Sequence, residues 1–191
     1  MQERKAEISR VTGETNVHIS LDLDGTGKAQ IHTGIGFFDH MLNSFARHGL
    51  FDLTVDVEGD LEVDSHHTIE DTGIVLGQAI RQAVGDKKGI RRFGDCMLPM
   101  DETLMLCALD LSGRPYLKFY MPLTVPKVGD FDTEMVHEFF YAVSYGAEMN
   151  LHLKMLDGEN NHHIIEAAFK AFAKALDQAT QYDGRIQEVL S

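Results

Sequence analysis

Between positions 51 and 57, Phe51, Leu53, Val55 and Val57 alternate with single polar residues, the period-2 pattern of a strand with one buried face. Short apolar runs at 5–11 and 16–23, parted by Thr12-Gly13, predict two further strands before it. Helical spacing covers 37–48 and 66–84, and Gly49 and Gly85 stand as the stop signals. The second half reads in the same order. Strands are expected at 103–111 and 116–121, then a helix over 133–145 capped by Asp132, a strand over 150–156 and a helix over 162–180.

Each half is therefore ββαβα, and the chain is a duplicated α+β protein with a first half over 1–92 and a second over 93–191. The expected architecture is a four-stranded sheet in each half, with helices on one face only. Two such halves need each other, or a neighbouring subunit, to cover their apolar faces. The last helices of the halves match in detail. Ile69, Gly73, Leu76 and Ile80 have the same offsets as Ile165, Phe169, Phe172 and Leu176, a single helix face. Ser65 and Asn161, each directly before a histidine pair, are the expected N-caps.

Those histidine pairs change the picture from fold to chemistry. His66-His67…Glu70 and His162-His163…Glu166 repeat one motif, His-His-x-x-Glu, at the starts of matched helices. A helix turns about 100° per residue, so His66 and Glu70 share a face and can hold one ion, while His67 points elsewhere. The same division applies to His162 and Glu166 against His163. Two metal ions are the natural reading, each taking a His and a Glu from one helix and the odd His from another. A surface or capping role competes for a single copy, but two matched copies weigh against it. Nitrogen and carboxylate donors without thiolate suit Mn, Fe, Zn or Ni. Further ligands are His40 in the first half and, by register from the following strand, Glu138 in the second, with His137 as its neighbouring alternative. His48 and His152 are weaker candidates, one at a helix end and one in a strand.

Composition narrows the partners. The net charge is −13, which disfavours nucleic acid and anionic membrane. No apolar run is long enough to span a bilayer. Two cysteines without C-x-x-C spacing and a polar start without a signal-peptide core make a cytoplasmic location the expectation.

Gly34-Ile35-Gly36-Phe37-Phe38-Asp39-His40, Asp64-Ser65-His66-His67-Thr68-Ile69-Glu70-Asp71, Pro99-Met100-Asp101-Glu102, Asp110-Leu111-Ser112-Gly113-Arg114-Pro115 and His162-His163-Ile164-Ile165-Glu166 are a specific set. Through them, over essentially its whole length, the chain resembles the imidazoleglycerol-phosphate dehydratases. The resemblance implies dehydration of imidazole glycerol phosphate to imidazole acetol phosphate in histidine biosynthesis. It also implies two Mn2+ per active site, sites formed between subunits, and a 24-subunit homo-oligomer built from trimers.

By motif position it assigns the metal ligands to His40, His66, His67, Glu70, His162, His163 and Glu166. Many members carry His at the place of Glu138. It makes Glu14 a substrate-contacting acid–base residue and Arg92 and Arg114 phosphate-side groups, with Lys170 beside them; Glu70 and Glu166 also count as catalytic, and His40 and His48 as substrate-binding. Read without the resemblance, Glu14 is an exposed turn residue, Arg92 and Lys170 are solvated surface, and Arg114 is open. The family tail that helps hold phosphate would begin at Ser191 and is expected to continue beyond it. Two rivals stay open: a dinuclear metallohydrolase acting on a phosphate ester, and a metal-binding shell protein.

Overall fold

The structure, a computed structural model, describes residues 3–190. The first half runs β1 (Lys5–Val11), β2 (Thr15–Asp22), β3 (Ala29–His32), α1 (Gly36–Gly49), β4 (Asp52–Gly59) and α2 (His66–Val84). The second repeats it as β5 (Phe93–Met100), β6 (Thr103–Asp110), β7 (Tyr116–Tyr120), α3 (Met135–Gly146), β10 (Asn150–Asp157) and α4 (Asn161–Thr180). A two-residue ribbon, β8 (Lys127–Val128) with β9 (Phe131–Asp132), is inserted before α3.

The duplication holds and each half has the expected four-stranded sheet, one strand more than the ββαβα pattern had located. The sheets have equivalent orders, β1-β2-β4-β3 and β5-β6-β10-β7, and in each the third strand pairs parallel to the fourth. The true counterparts of β1 and β2 are therefore β5 and β6. The sequence pattern paired them with β6 and β7, because β5 reads as a loop. Its sequence, Phe-Gly-Asp-Cys-Met-Leu-Pro-Met, contains both a Gly and a Pro, and the sheet edge tolerates them. Likewise β3 buries only Ile31 and gives too short a signal.

Each sheet presents one apolar face to helices: Val17, Ile19 and Leu21 in β2, Met105, Cys107 and Leu109 in β6. Helix α2 lies on β1 and β2, and α4 on β5 and β6. Across the halves, α1 packs against α4 and α3 against α2, so the four helices form one layer between the two sheets. The two crossings differ. Phe45 of α1 stacks on Phe172 of α4 at 5.4 Å. The α2–α3 crossing is backbone-close: a Cβ on Gly77 would lie 2.6 Å from the Val143 carbonyl oxygen.

Helix boundaries hold within a residue or two, and the caps move. Leu50, not Gly49, takes the left-handed conformation after α1, with φ 60°. Gly49 is small for packing, since a Cβ there would meet the Phe51 ring at 2.2 Å. Ser65 makes no capping hydrogen bond to α2; its hydroxyl donates to Asp132 in the other half, and Asp64 accepts the His66 N–H at 2.8 Å. In the same way Asn160 caps α4, taking the His162 N–H at 2.9 Å, while Asn161 is tied to Thr124. Asp132 thus anchors Ser65 rather than capping α3.

Candidate active site

The N-termini of α1 and α4 meet where the halves join. Asp130, in the loop between β8 and β9, accepts the Gly36 and Phe37 N–H groups and so caps α1 from the other half. Phe37 then lies edge-on to the His162 ring at 5.1 Å. This crossing places His40 one turn into α1 against the first turns of α4. His40 Nε2 stands 3.4 Å from Glu166 Oε2, and His162 Nε2 3.0 Å from the same oxygen. Among the described residues this is the one group whose three donor atoms all lie within 4.8 Å of one another. Two imidazole nitrogens and a carboxylate converging from two helices is a set that can hold a divalent ion.

Lys170, one turn along α4, closes the cluster from below, with Nζ 2.7 Å from Glu166 Oε1. It is mostly buried, not the solvated residue its helix position predicted. Burial works against ionisation of Glu166, but the Lys170 ammonium and His162 outweigh it and hold the carboxyl below its ordinary value. Beside the cluster is a cleft of about 300 Å³ lined by His40, Asn43, Ser44, Arg47 and His48. His48 is pushed toward the neutral form, first by burial and then by the Lys170 and Lys174 charges.

In the first half His66 and Glu70 face each other at 3.8 Å on an open surface. Glu138 lies on α3, the helix packed against α2, as His40 lies on the helix packed against α4. Its carboxylate is hydrogen-bonded to His137 Nδ1 at 2.9 Å and does not reach a three-donor group with His66 and Glu70.

The second histidine of each pair turns away, as helix geometry requires. The His66 and His67 rings are 6.2 Å apart and 74° out of plane, and those of His162 and His163 are 6.1 Å and 81°. His67 presents Nδ1 to Asp60 at 2.9 Å, and its Nε2 faces Glu14 at 3.8 Å. His163 presents Nδ1 to Glu102 at 2.8 Å, and its Nε2 faces Asp101 at 3.7 Å. Both rings are pulled toward the protonated form, by the Asp60 and Glu102 hydrogen bonds respectively. Glu14 in the β1–β2 turn and Glu102 in the β5–β6 turn are counterparts in the repeat, each directly before the matched threonines Thr15 and Thr103. Asp60 was not singled out from the sequence, and Asp101 and Glu102 entered there only within the Pro99–Glu102 segment with no role assigned; their signal was a carboxylate in the hairpin turn or directly after the fourth strand of a half.

Arg92 is elsewhere. Its N–H bonds the Ala179 carbonyl at the far end of α4, about 20 Å along the helix axis from Glu166. It is buried, not solvated: Nε donates to Asp110 at 2.6 Å, and Nη1 to the Leu190 carbonyl. Arg114 lies in the exposed turn that follows β6, at the same end. His152 sits on the outer face of β10, with its ring 5.9 Å from Tyr116. Ser191 lies outside the described residues.

A family model described as imidazoleglycerol-phosphate dehydratase matches residues 33–176, which includes both histidine motifs and the converging cluster. The chain belongs to the imidazoleglycerol-phosphate dehydratase family. It is 68% identical over 188 residues to the imidazoleglycerol-phosphate dehydratase of Lachnoclostridium phytofermentans, covering 98% of this chain and 96% of that protein. It is 61% identical to that of Acetivibrio thermocellus over 99% of this chain and 97% of the relative. The crystal structure of the dehydratase from Staphylococcus aureus superposes with a TM-score of 0.85 at 42% identity, over 94% of this chain and 99% of that one. That from Pyrococcus furiosus, in complex with (S)-C348, does so with 0.82 at 34%, over 96% and 100%. The family are carbon–oxygen lyases of histidine biosynthesis, and the reading of this chain as an enzyme of that class rests on these matches. No helix among the described residues is long and apolar enough to cross a membrane.

Proposed function

We propose that the chain catalyses the Mn2+-dependent loss of water from imidazole glycerol phosphate to give imidazole acetol phosphate. The observation that carries this is the convergence of His40, His162 and Glu166 in a chain of this family. In the repeat, His66, Glu70 and Glu138 are the residues to hold a second ion, and His67 and His163 complete the two sets. Two ions would supply Lewis acidity toward the two ring nitrogens of the substrate. The rest falls to side chains. Glu14, exposed and facing the His67 edge, moves a proton between the substrate carbon and the departing hydroxyl. Lys170 fixes Glu166, and Arg92 and Arg114 take the phosphate by charge-assisted hydrogen bonds.

Distance argues for a site shared between subunits. The arginines lie at the opposite end of α4 from the cluster, and one small substrate does not bridge about 20 Å. His67 and His163 also face away from the ligands on their own helices. A neighbouring copy supplying the other residues resolves both points, and a 24-mer built from trimers is the assembly we propose. The outer face of the second sheet supports it. Phe93, Met97, Tyr116 and Tyr120 are each at least half exposed there, and Tyr120 borders a cleft of about 410 Å³ that Leu106, Lys118, His152 and Lys154 also line. The outer face of the first sheet carries Glu7, His18, Asp56 and Glu58 instead. We place the enzyme in the cytoplasm, with no nucleic-acid or membrane partner.

The test is an assay of imidazole acetol phosphate formation after chelation and after Mn2+ is restored. The proposal expects loss and recovery. Turnover that survives chelation contradicts it, and phosphate release in place of the ketone identifies a metallohydrolase.

A further inference from the structure

The second histidine of each motif shares an arrangement that its sequence position does not explain. His67 Nδ1 lies 2.9 Å from Asp60 Oδ2, and His163 Nδ1 lies 2.8 Å from Glu102 Oε2. The two carboxylates are not counterparts in the duplication. Asp60 follows the last strand of its sheet, and Glu102 sits in the hairpin turn between the first two strands of the other. Two different backbone positions have been used to put an acceptor on the same ring nitrogen.

A carboxylate has no proton to give near neutral pH, so Nδ1 must be the donor in both pairs. The lone pair of each neutral ring is then on Nε2, the nitrogen at the tip of the side chain. Glu102 is itself held. It also accepts the Asn160 and Glu159 N–H groups, at 2.7 and 3.3 Å. Asp60 is simpler: its carboxylate makes its hydrogen bonds to His67, and it is mostly buried.

We propose that Asp60 and Glu102 are positioning residues, which fix the tautomer and ring angle of His67 and His163 so that Nε2 is presented as a metal ligand. This rests on the metal reading above and adds to it two residues outside the ligand set. An outer carboxylate on a ligating histidine typically contributes 10–100-fold to metal affinity.

The experiment uses the Mn2+-loaded oligomer, dialysed against chelator buffers of graded free Mn2+, with the metal retained per chain measured for wild type, Asp60→Ala and Asp60→Asn. Wild type should retain two. Asp60→Ala should lose one of them at about 10–100-fold higher free Mn2+ and keep the other. Asp60→Asn, whose amide oxygen can still accept from Nδ1, should recover most of that loss. Glu102→Gln against Glu102→Ala should repeat the pattern. The proposal is overturned if Asp60→Ala retains both ions like wild type, if both ions leave together, or if Asn behaves as Ala does. A wild type that retains no Mn2+ overturns the metal reading itself, and with it this inference.

Discussion

Glu166 lies between two imidazoles and an ammonium, and its pairing with His162, four residues earlier, follows from helical spacing, whereas His40 reaches it from α1 and Lys170 was read as exposed. The His162 pairing was legible in the sequence. So was the divergence of His67 and His163, because 100° per residue forbids adjacent side chains a common target. The partners of those two residues were not legible, since Asp60 and Glu102 reach them from the loop after β4 and the β5–β6 turn. Arg92 was misjudged for a related reason: a basic pair in a loop looks solvated until Asp110 and the Leu190 carbonyl are seen to enclose it. Glu14 is placed to act on the substrate directly. Its side chain is more than half exposed, and it faces a ring edge rather than an apolar neighbour. Glu14→Gln should lower kcat by about 10²-fold or more and leave bound Mn2+ unchanged. A fully active variant removes Glu14 from the proton path.

Among the elements, the helix layer joins the halves, and its two crossings are built on different chemistry. The α1–α4 crossing is filled by aromatic rings, and that is the crossing which holds the three-donor cluster. The α2–α3 crossing depends on glycine. An added methyl at Gly77 meets the Val143 carbonyl and the Ala147 nitrogen, backbone atoms that have no rotamer to change. Gly77→Ala should cost about 1–3 kcal/mol and lower Tm by several degrees. An unchanged Tm would mean that the crossing is looser than described.

The strands taught the opposite lesson to the helices. Alternation found β4, but β5 was hidden by Pro99 and Gly94, and a Cβ on Gly94 would lie on the α4 backbone, 1.9 Å from the Ala175 oxygen. Close packing demanded the residue that erased the strand signal. The C-terminal end of α4 is tied to the first sheet by Arg4, which is buried, donates to Asp24 and to the Thr180 carbonyl, and lies over Tyr182 at 4.7 Å. The Arg4 hydrogen bond holds Asp24 below its ordinary 3.8, against an opposing desolvation, with the Arg4 charge adding to it. A depressed carboxylate stabilises above its unfolded value, and that contribution is lost as pH falls through the folded one. Asp24→Asn should therefore lower Tm by about 1–2 °C near pH 7, a small effect because Asp24 is more than half exposed. The gap from wild type should close below about pH 4; a gap that persists in acid would show that the pair is not its source.

For the whole molecule, the duplication could be read from two matched helices, and it sets the logic of the site. One half supplies His40 to the other half's helix, so neither half holds the cluster alone. The contrast between an apolar outer sheet face and a polar one is visible only once β5 and β7 are placed at the two edges of their sheet. If the apolar face is a subunit contact, Tyr120→Glu should reduce the sedimenting mass well below 24 chains and abolish turnover, with the circular dichroism of the fold retained. A full-size, active variant would place the contact elsewhere.

The central claim is that each His-His-x-x-Glu motif divides its ligands between two ions. A manganese-edge anomalous difference map of the crystallised oligomer tests it most directly. The account predicts two peaks per chain: one among His40, His162 and Glu166, the other against His66 and Glu70, with the adjacent His67 and His163 each on the ion that its own neighbour does not bind. A single peak bound by both histidines of one pair, or no peak at the His40 cluster, would contradict it.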